Sequence, residues 1–262
     1  MIQGYPASTP EAIRRRLIDA GVEVEPYEVD VPAFRAYLRD APYPRAYVDS
    51  YGPVFVEKAL EHYVSLELLG RSRFLEGIDI ASCHSPFPEV VRSLTHVPIY
   101  RQDLDYPSEI GRFVVGGSAG RLPFPGRFFK AMTLHCSLEH FEGTADTEFV
   151  REAARLLQPG GRVCVLPLYL SDAFANITDP ALQGDAVFDT GAALHAVEGW
   201  NNRFGRFYDV NSLLKRILWP ASSTLRPTIY DVVNAPAVDP GCYLRFALVM
   251  ERRAGPADAR VR

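Results

Sequence analysis

Hydrophobic and polar positions repeat with two different periods along the chain. Over residues 10–70 the period is helical. The stretch 10–21, PEAIRRRLIDAG, opens on proline and closes on glycine, the expected punctuation of a helix. Residues 31–41, VPAFRAYLRDA, and 52–70, GPVFVEKALEHYVSLELLG, continue the pattern. The latter puts Val56, Leu60, Tyr63, Val64 and Leu68 on one face. Between them APYPRAY (41–47) is a proline-broken connector.

From residue 74 the texture changes to short apolar runs divided by helical segments. Strands are predicted at 74–81, 97–103, 111–117, 129–136 and 162–170, with helices near 86–95 and 145–158. The second helix has Phe149, Val150, Ala153, Ala154 and Leu157 on one face and runs into Pro-Gly-Gly. Alternating strands and helices predict a parallel sheet covered on both faces. Residues 171–208 lose the periodicity. They are rich in Asp, Asn, Gly and aromatics, and read as an insertion lying over the sheet. A helix over 211–219 then leads to two strands, 224–233 and 242–251, paired as a hairpin at a sheet edge. The expected organisation is an N-terminal helical extension (1–71), a core (72–253) with a cap insertion at about 171–208, and a disordered tail (254–262).

Composition narrows the function classes. The chain has 262 residues, 47% of them hydrophobic, enough for one large core. A net charge of -4 and no basic patch argue against nucleic acid as a partner. Arg14-Arg15-Arg16 reads as a solvated helix face. No basic-then-apolar leader is present, and the longest apolar run, 163–170, is too short to span a bilayer, so no membrane is expected. The 4 cysteines, at positions 83, 136, 164 and 242, form no C-x-x-C, which fits a reducing, cytoplasmic setting. The aromatic N-terminal helices suit either a homodimer contact or a lid.

Candidate chemistry begins at GIDIASCHSPFPEV, 77–90, where a strand gives way to a helix. In an open parallel sheet, ligands bind beyond the carboxyl ends of strands, where strand order reverses. Ser85 has the chemistry of an N-cap and Pro86 that of a first helical residue. The helix start offers free N–H groups and a positive dipole end, and Ser82, His84 and Ser85 add side-chain donors. Asp103, 24 residues beyond Asp79, has the spacing of a carboxylate that binds ribose hydroxyls.

The stretches GGSAGRLPFPGRFFKAMTLHCSLEHFEG (116–143) and EAARLLQPGGRVCVLPLY (152–169) resemble class I S-adenosylmethionine-dependent methyltransferases. The likeness lies in a polar residue plus Ala followed by LPFP, a strand running into LEH, and L-x-PGG before the next strand. It covers residues 72–170 and extends to 251. It implies a Rossmann-like, seven-stranded, mostly parallel α/β sheet with helices on both faces. It also implies S-adenosylmethionine as cofactor. By position, Asp79, Ala81, Ser82, His84 and Ser85 correspond to the methionine-side loop, Asp103 to the ribose ligand, Ser118 and Ala119 to the adenine contact, and His135 and Cys136 to the sulfonium end. The family loop reads D-x-G-x-G where this chain reads D-I-A-S-C-H, and Ser118 stands where the family carries Asp.

A methyl transfer to a hydroxyl needs a base. His140, in LEHFEG, and His195, in the insertion, are the candidates, each weighed against a supporting role for His140 and a surface position for His195. GWNNRFGRFYD (199–209) places Trp200, Asn202, Arg203, Arg206 and Tyr208 where aromatic stacking and polar readout of a small-molecule or sugar substrate are expected. The alternative is a loop pinned by its own aromatics. His62 and Tyr63 precede the core at a place where helices close over the cofactor. Cys83, His84, His135 and Cys136 fall at neighbouring strand ends, but adjacent strand residues point to opposite sides, so no metal is expected. The leading reading is O-methylation of a small metabolite or of a sugar of a natural product or glycan. A binding or scaffold protein without turnover, and an enzyme running other chemistry on this fold, are the alternatives.

Overall fold

The computed structural model describes residues 9–83, 85–107 and 111–254. Three helices, α1 (Pro10–Asp19), α2 (Val31–Asp40) and α3 (Arg45–Tyr51), precede the longer α4 (Phe55–Leu69). Thr9 and Asp30 cap α1 and α2 by accepting from the N–H groups of Ala12 and Ala33. One strand breaks the predicted all-helical extension. β1 (Val24–Tyr27) pairs in parallel with β10 (Leu225–Val232) at the edge of the main sheet. It carries Glu25 and Pro26 and no alternation, so periodicity misses it. Proline is tolerated there because an edge strand need not donate on both sides.

The main sheet has eight strands in the order β1-β10-β11-β6-β5-β2-β3-β4, one more than expected. Its strands are β1, β2 (Gly77–Ile80), β3 (Tyr100–Asp103), β4 (Val114–Gly116), β5 (Phe129–His135), β6 (Leu157–Leu166), β10 and β11 (Phe246–Arg252). The pairs within β4-β3-β2-β5-β6 are all parallel, and β11 is antiparallel to both neighbours, as the hairpin pattern implied. α5 (Phe87–Thr95) and α6 (Ala145–Leu156) are the crossover helices. The chain leaves β2 toward β3 on one side and returns to β5 on the other. Strand order therefore reverses at β2, and a crevice opens at the carboxyl ends of β2 and β5.

β6 starts five residues before the predicted strand. Phe129 pairs with Leu157 and Ala131 with Arg162, so Pro159-Gly160-Gly161 bulges out of the ladder. Gly160 holds φ +73, and a Cβ on Gly161 would lie 2.9 Å from the Gln158 carbonyl oxygen. The strand closes at Leu166, before Pro167, which has no N–H to offer.

Residues 171–208 form a small sheet of their own, β8-β7-β9, made of β7 (Ala175–Thr178), β8 (Ala193–Ala196) and β9 (Gly205–Phe207). Its core is a satellite cluster of Ala175, Ile177 and Phe207 with Tyr169 and Trp200 against it. The helix predicted at 211–219 is a short α7 (Val210–Leu213) continued by a π-turn over Leu214–Leu218. Two larger clusters fill the two faces of the main sheet. Ile78, Leu134, Phe149 and Val165 lie in one, and Leu60, Phe74, Phe87 and Leu166 in the other, as the alternation of strand side chains requires. Among the described residues no helix is long and apolar enough to cross a membrane.

Candidate functional site

A cleft of about 1220 Å³ lies over the carboxyl ends of β2, β3 and β5, roofed by α4 and the insertion. Its floor is the loop after β2. Ala81 and Cys83 sit at φ 50° and 37°, in the left-handed region that costs a side-chain-bearing residue roughly 1–2 kcal/mol. These are the two places where D-x-G-x-G has glycine. Neither residue is glycine, yet both hold a positive φ of the kind glycine adopts freely. The loop is held by Gln102, whose side-chain oxygen accepts from Ala81 N–H at 3.1 Å, and by Asp103, which accepts from Cys83 N–H at 2.8 Å. Ser85 Oγ accepts from Phe87 N–H at 3.2 Å, so its capping role is real but displaced by one residue.

Asp103 accepts from Cys83 N–H through Oδ2 and from Asp105 N–H through Oδ1. A carboxylate has about four lone-pair sites, so two remain for a ligand. Ser118 and Ala119 face it across the cleft, where Ser118 Oγ accepts from Gly120 N–H at 3.2 Å. Asp79 is 1% exposed and does not line the cleft. It accepts from Thr133 Oγ1 at 2.7 Å and stands 3.2 Å from His135 Nδ1, so it braces the histidine from below.

The roof is less expected. α4 carries Lys58, Glu61, His62 and Ser65 at i, i+3, i+4 and i+7, a second stripe that is polar and buried. Lys58 Nζ donates to Glu61 Oε1, Cys136 Sγ and Tyr243 OH, each at 2.8 Å. Burial pushes the Glu61 carboxyl up to about 7, against the pull of the Lys58 ammonium. Burial also opposes the charge on Lys58, but Glu61 leads a set of partners that outweigh it and hold the ammonium above its ordinary range. Burial, then His135 and Lys58, keep His62 below the usual imidazole range. Cys136, at φ 46°, sits 3.2 Å from both Glu61 oxygens, and burial pushes its thiol well up.

Beyond β5, His140 Nδ1 lies 2.6 Å from the Phe204 carbonyl oxygen, and its ring packs 6.1 Å from Trp200. A carbonyl only accepts, so Nδ1 carries a proton, and Nε2 lies 3.7 Å from Glu139 Oε1. Glu139 lines the same region at 7% exposure. Its Oε2 has no hydrogen-bond partner among the described residues, and burial pushes the carboxyl up.

Residues 89–165 match the family model described as a methyltransferase domain. No curated protein matches the chain. Among solved structures, the Burkholderia thailandensis 1,6-didemethyltoxoflavin-N1-methyltransferase is 17% identical with a TM-score of 0.47, over 89% of this chain and 94% of that one. The geranyl diphosphate C-methyltransferase of Streptomyces coelicolor A3(2) is 14% identical with a TM-score of 0.47, over 95% and 100%. An S-adenosylmethionine-dependent methyltransferase from Mesorhizobium loti is 14% identical with a TM-score of 0.45, over 73% and 96%.

The floor of the cleft brings most of the expected cofactor residues together. The glycine-type backbone at Ala81 and Cys83 keeps the loop low, and Asp103 retains free lone pairs at the cleft edge. Ala81, Ser82, Ser85, Asp103, Ser118, Ala119, His135 and Cys136 all line it. Asp79 stands behind His135, and His84 lies outside the described residues, as does the expected disordered tail from residue 255.

The insertion divides differently. Trp200 and Asn202 line the cleft. Arg203 is tied at the rim to Glu142 at 2.6 Å and Asp185 at 3.1 Å. Arg206 is 0% exposed, bridged to Asp189 at 2.7 Å and Asp146 at 3.1 Å, and Tyr208 donates to Asp146 at 2.8 Å. Arg206 and Tyr208 therefore hold the insertion to α6 and do not face the cleft, because their polar atoms are satisfied internally. His195 lies on β8 and does not line the cleft either. His62 lines it, and Tyr63, two rings of which neighbour Phe34 and Tyr37, packs in the core. The groups that sequence reasoning missed are Lys58, Glu61, Glu139, Tyr169 and Tyr243. The polar i, i+3, i+4, i+7 stripe of α4 was a usable signal for the first two.

Proposed function

We propose that this domain methylates a hydroxyl of a small molecule, a metabolite or a sugar, with His140 as the base. The observation that carries the reading is the 2.6 Å hydrogen bond from His140 to the Phe204 carbonyl, which puts a proton on Nδ1 and leaves Nε2 as the nitrogen able to take one, in a residue that lines the cleft. S-adenosylmethionine supplies a methyl group already activated by its sulfonium. The chain's task is to hold, orient and dry the site. Asp103 offers its two spare lone pairs to ribose hydroxyls. The hydroxyls of Ser82 and Ser85 border the methionine side, while their N–H groups are spent on the carbonyl oxygens of Gln102 and Ser82, with Ala81 forming the loop wall. Ser118 and Ala119 flank the base, and Ser118 offers a hydroxyl without the charge assistance of an acid. His135 and Cys136 close the floor under the sulfur end. Trp200 and Asn202 border the acceptor side, with Arg203 outside them at the rim. His140 would take the acceptor's proton while the methyl–sulfur bond gives way to the new C–O bond and S-adenosylhomocysteine leaves, a contribution of about 10²–10⁴-fold from the base.

The test is S-adenosylhomocysteine formation with a panel of hydroxyl-bearing small molecules. Turnover in the intact protein, reduced about 10²–10⁴-fold in His140→Ala with S-adenosylhomocysteine affinity kept, is expected. Turnover of His140→Ala at the rate of the unaltered protein contradicts the assignment.

A further inference from the structure

The acceptor half of the cleft has a charge imbalance that the methyl donor does not use up. Glu61, Glu139, Glu142 and Glu198 line it, against Lys58 alone, with Arg203 reaching Glu142 from outside. Lys58 spends its three donors on Glu61, Cys136 and Tyr243 and so offers nothing to an anion. Glu139 differs from the other three. Like Glu61 it is more than nine-tenths buried, but its Oε1 is 3.7 Å from His140 Nε2, and its Oε2 has no donor among the described residues. A buried carboxylate oxygen without a donor costs about 1–3 kcal/mol or more, and structures keep such atoms where a ligand completes them. The surrounding walls are aromatic. Tyr169 and Phe207 pack at 5.3 Å, and Trp200 lies beside His140. Rings of this kind attract a cation over their faces, so the walls and the carboxylate favour one sign of charge.

We propose that the hydroxyl acceptor also carries a basic amine, and that Glu139 receives its ammonium. This deepens the methyltransferase reading and rests on it. The ligand class is an amino sugar or a phenol bearing an alkylamine. In either case the ammonium donates to Glu139 Oε2 while the hydroxyl lies toward His140. Glu139 is then a specificity-determining contact that selects by charge, and an acceptor bearing a carboxylate in the same place meets an uncompensated buried anion.

The experiment is calorimetry of the full chain saturated with S-adenosylhomocysteine, using two charge pairs: tyramine with 4-hydroxyphenylacetate, and glucosamine with glucuronate. In at least one pair the amine is expected to bind at least about tenfold tighter than the acid, and the pair that responds identifies the source. Glu139→Gln is expected to erase that preference with the affinity for S-adenosylhomocysteine unchanged. The proposal is overturned if neither pair discriminates, whether by equal binding or by none. It is also overturned if Glu139→Gln weakens S-adenosylhomocysteine and leaves the preference intact. Absence of S-adenosylhomocysteine binding in the unaltered protein strikes the cofactor cleft instead, so the two failures are distinct. The charge pairs need no variant and hold even if Glu139→Gln does not fold.

Discussion

The floor and the roof of the cleft both depend on polar groups, but they use them in opposite ways. The floor relies on backbone shape. Ala81 and Cys83 are held in left-handed conformations by Gln102 and Asp103, and Asp103 still has lone pairs to spare. The roof relies on closed charge sets. Arg206, Arg216, Asp146 and Asp189 form a box of two cations and two anions, with Arg216 2.8 Å from Asp146 and Arg206 2.7 Å from Asp189. Burial pushes the Asp189 carboxyl up, and hydrogen bonds from Arg206 and Asn176 more than reverse this, leaving it below its usual range. A buried arginine is thus no sign of ligand binding. The useful sign is a buried polar atom with nothing to bond to, as at Glu139.

The sharpest way to break this contrast is Arg206→Met. Removing one cation leaves Asp146 and Asp189 underpaired in the interior, a loss of about 3–5 kcal/mol. Thermal unfolding should show it directly, and a change under about 1 kcal/mol would mean that the arginine is not a structural tie. Floor residues should respond in the opposite direction. Ala81→Gly and Cys83→Gly each relieve roughly 1–2 kcal/mol of backbone strain and return about 0.4–1 kcal/mol in unfolded-chain entropy. Each should therefore leave stability equal or raise it by up to about 1 kcal/mol. A clear loss of stability in either variant would deny the strained backbone path.

The smallest effect concerns pH. The folded-state pKa of Glu61 is raised from 4.5 to about 7 by burial. A raised carboxyl keeps its proton in the folded state while the unfolded chain has released it. Its contribution to stability is complete below about 4.5 and is lost as pH rises through about 7. Glu61→Gln should flatten that part of the Tm-against-pH curve, whatever offset it adds by leaving Lys58 without its anion. An unchanged slope would place the titration elsewhere.

The core elements were legible because long periodic runs announce them. β5 and α6 fall close to their predicted bounds, and the Asp79 loop and Asp103 are neighbours at the switch point as the spacing implied. β1 was hidden because four residues with Glu25 and Pro26 carry no alternation, and its pairing with β10 spans some two hundred positions. The three strands of the insertion were hidden for a related reason. β8 lies on a mostly exposed surface, so burial imposes no pattern on it. Arg206 and Tyr208 misled because residue type announces chemistry but not direction. In β9 the alternation that turns one side chain to the cleft turns the next to the interior. The helical extension was read mainly through its apolar stripe; of the polar stripe beside it only His62 was picked out, and Lys58, Glu61 and Ser65 went unseen.

The most direct test is calorimetric titration of the full chain with S-adenosylhomocysteine, beside Asp103→Ala. Saturable binding to one site, weakened at least about tenfold in Asp103→Ala, is expected if the glycine-free loop seats the donor's nucleoside against that carboxylate. No heat from the unaltered protein, or equal affinity in the variant, would contradict it.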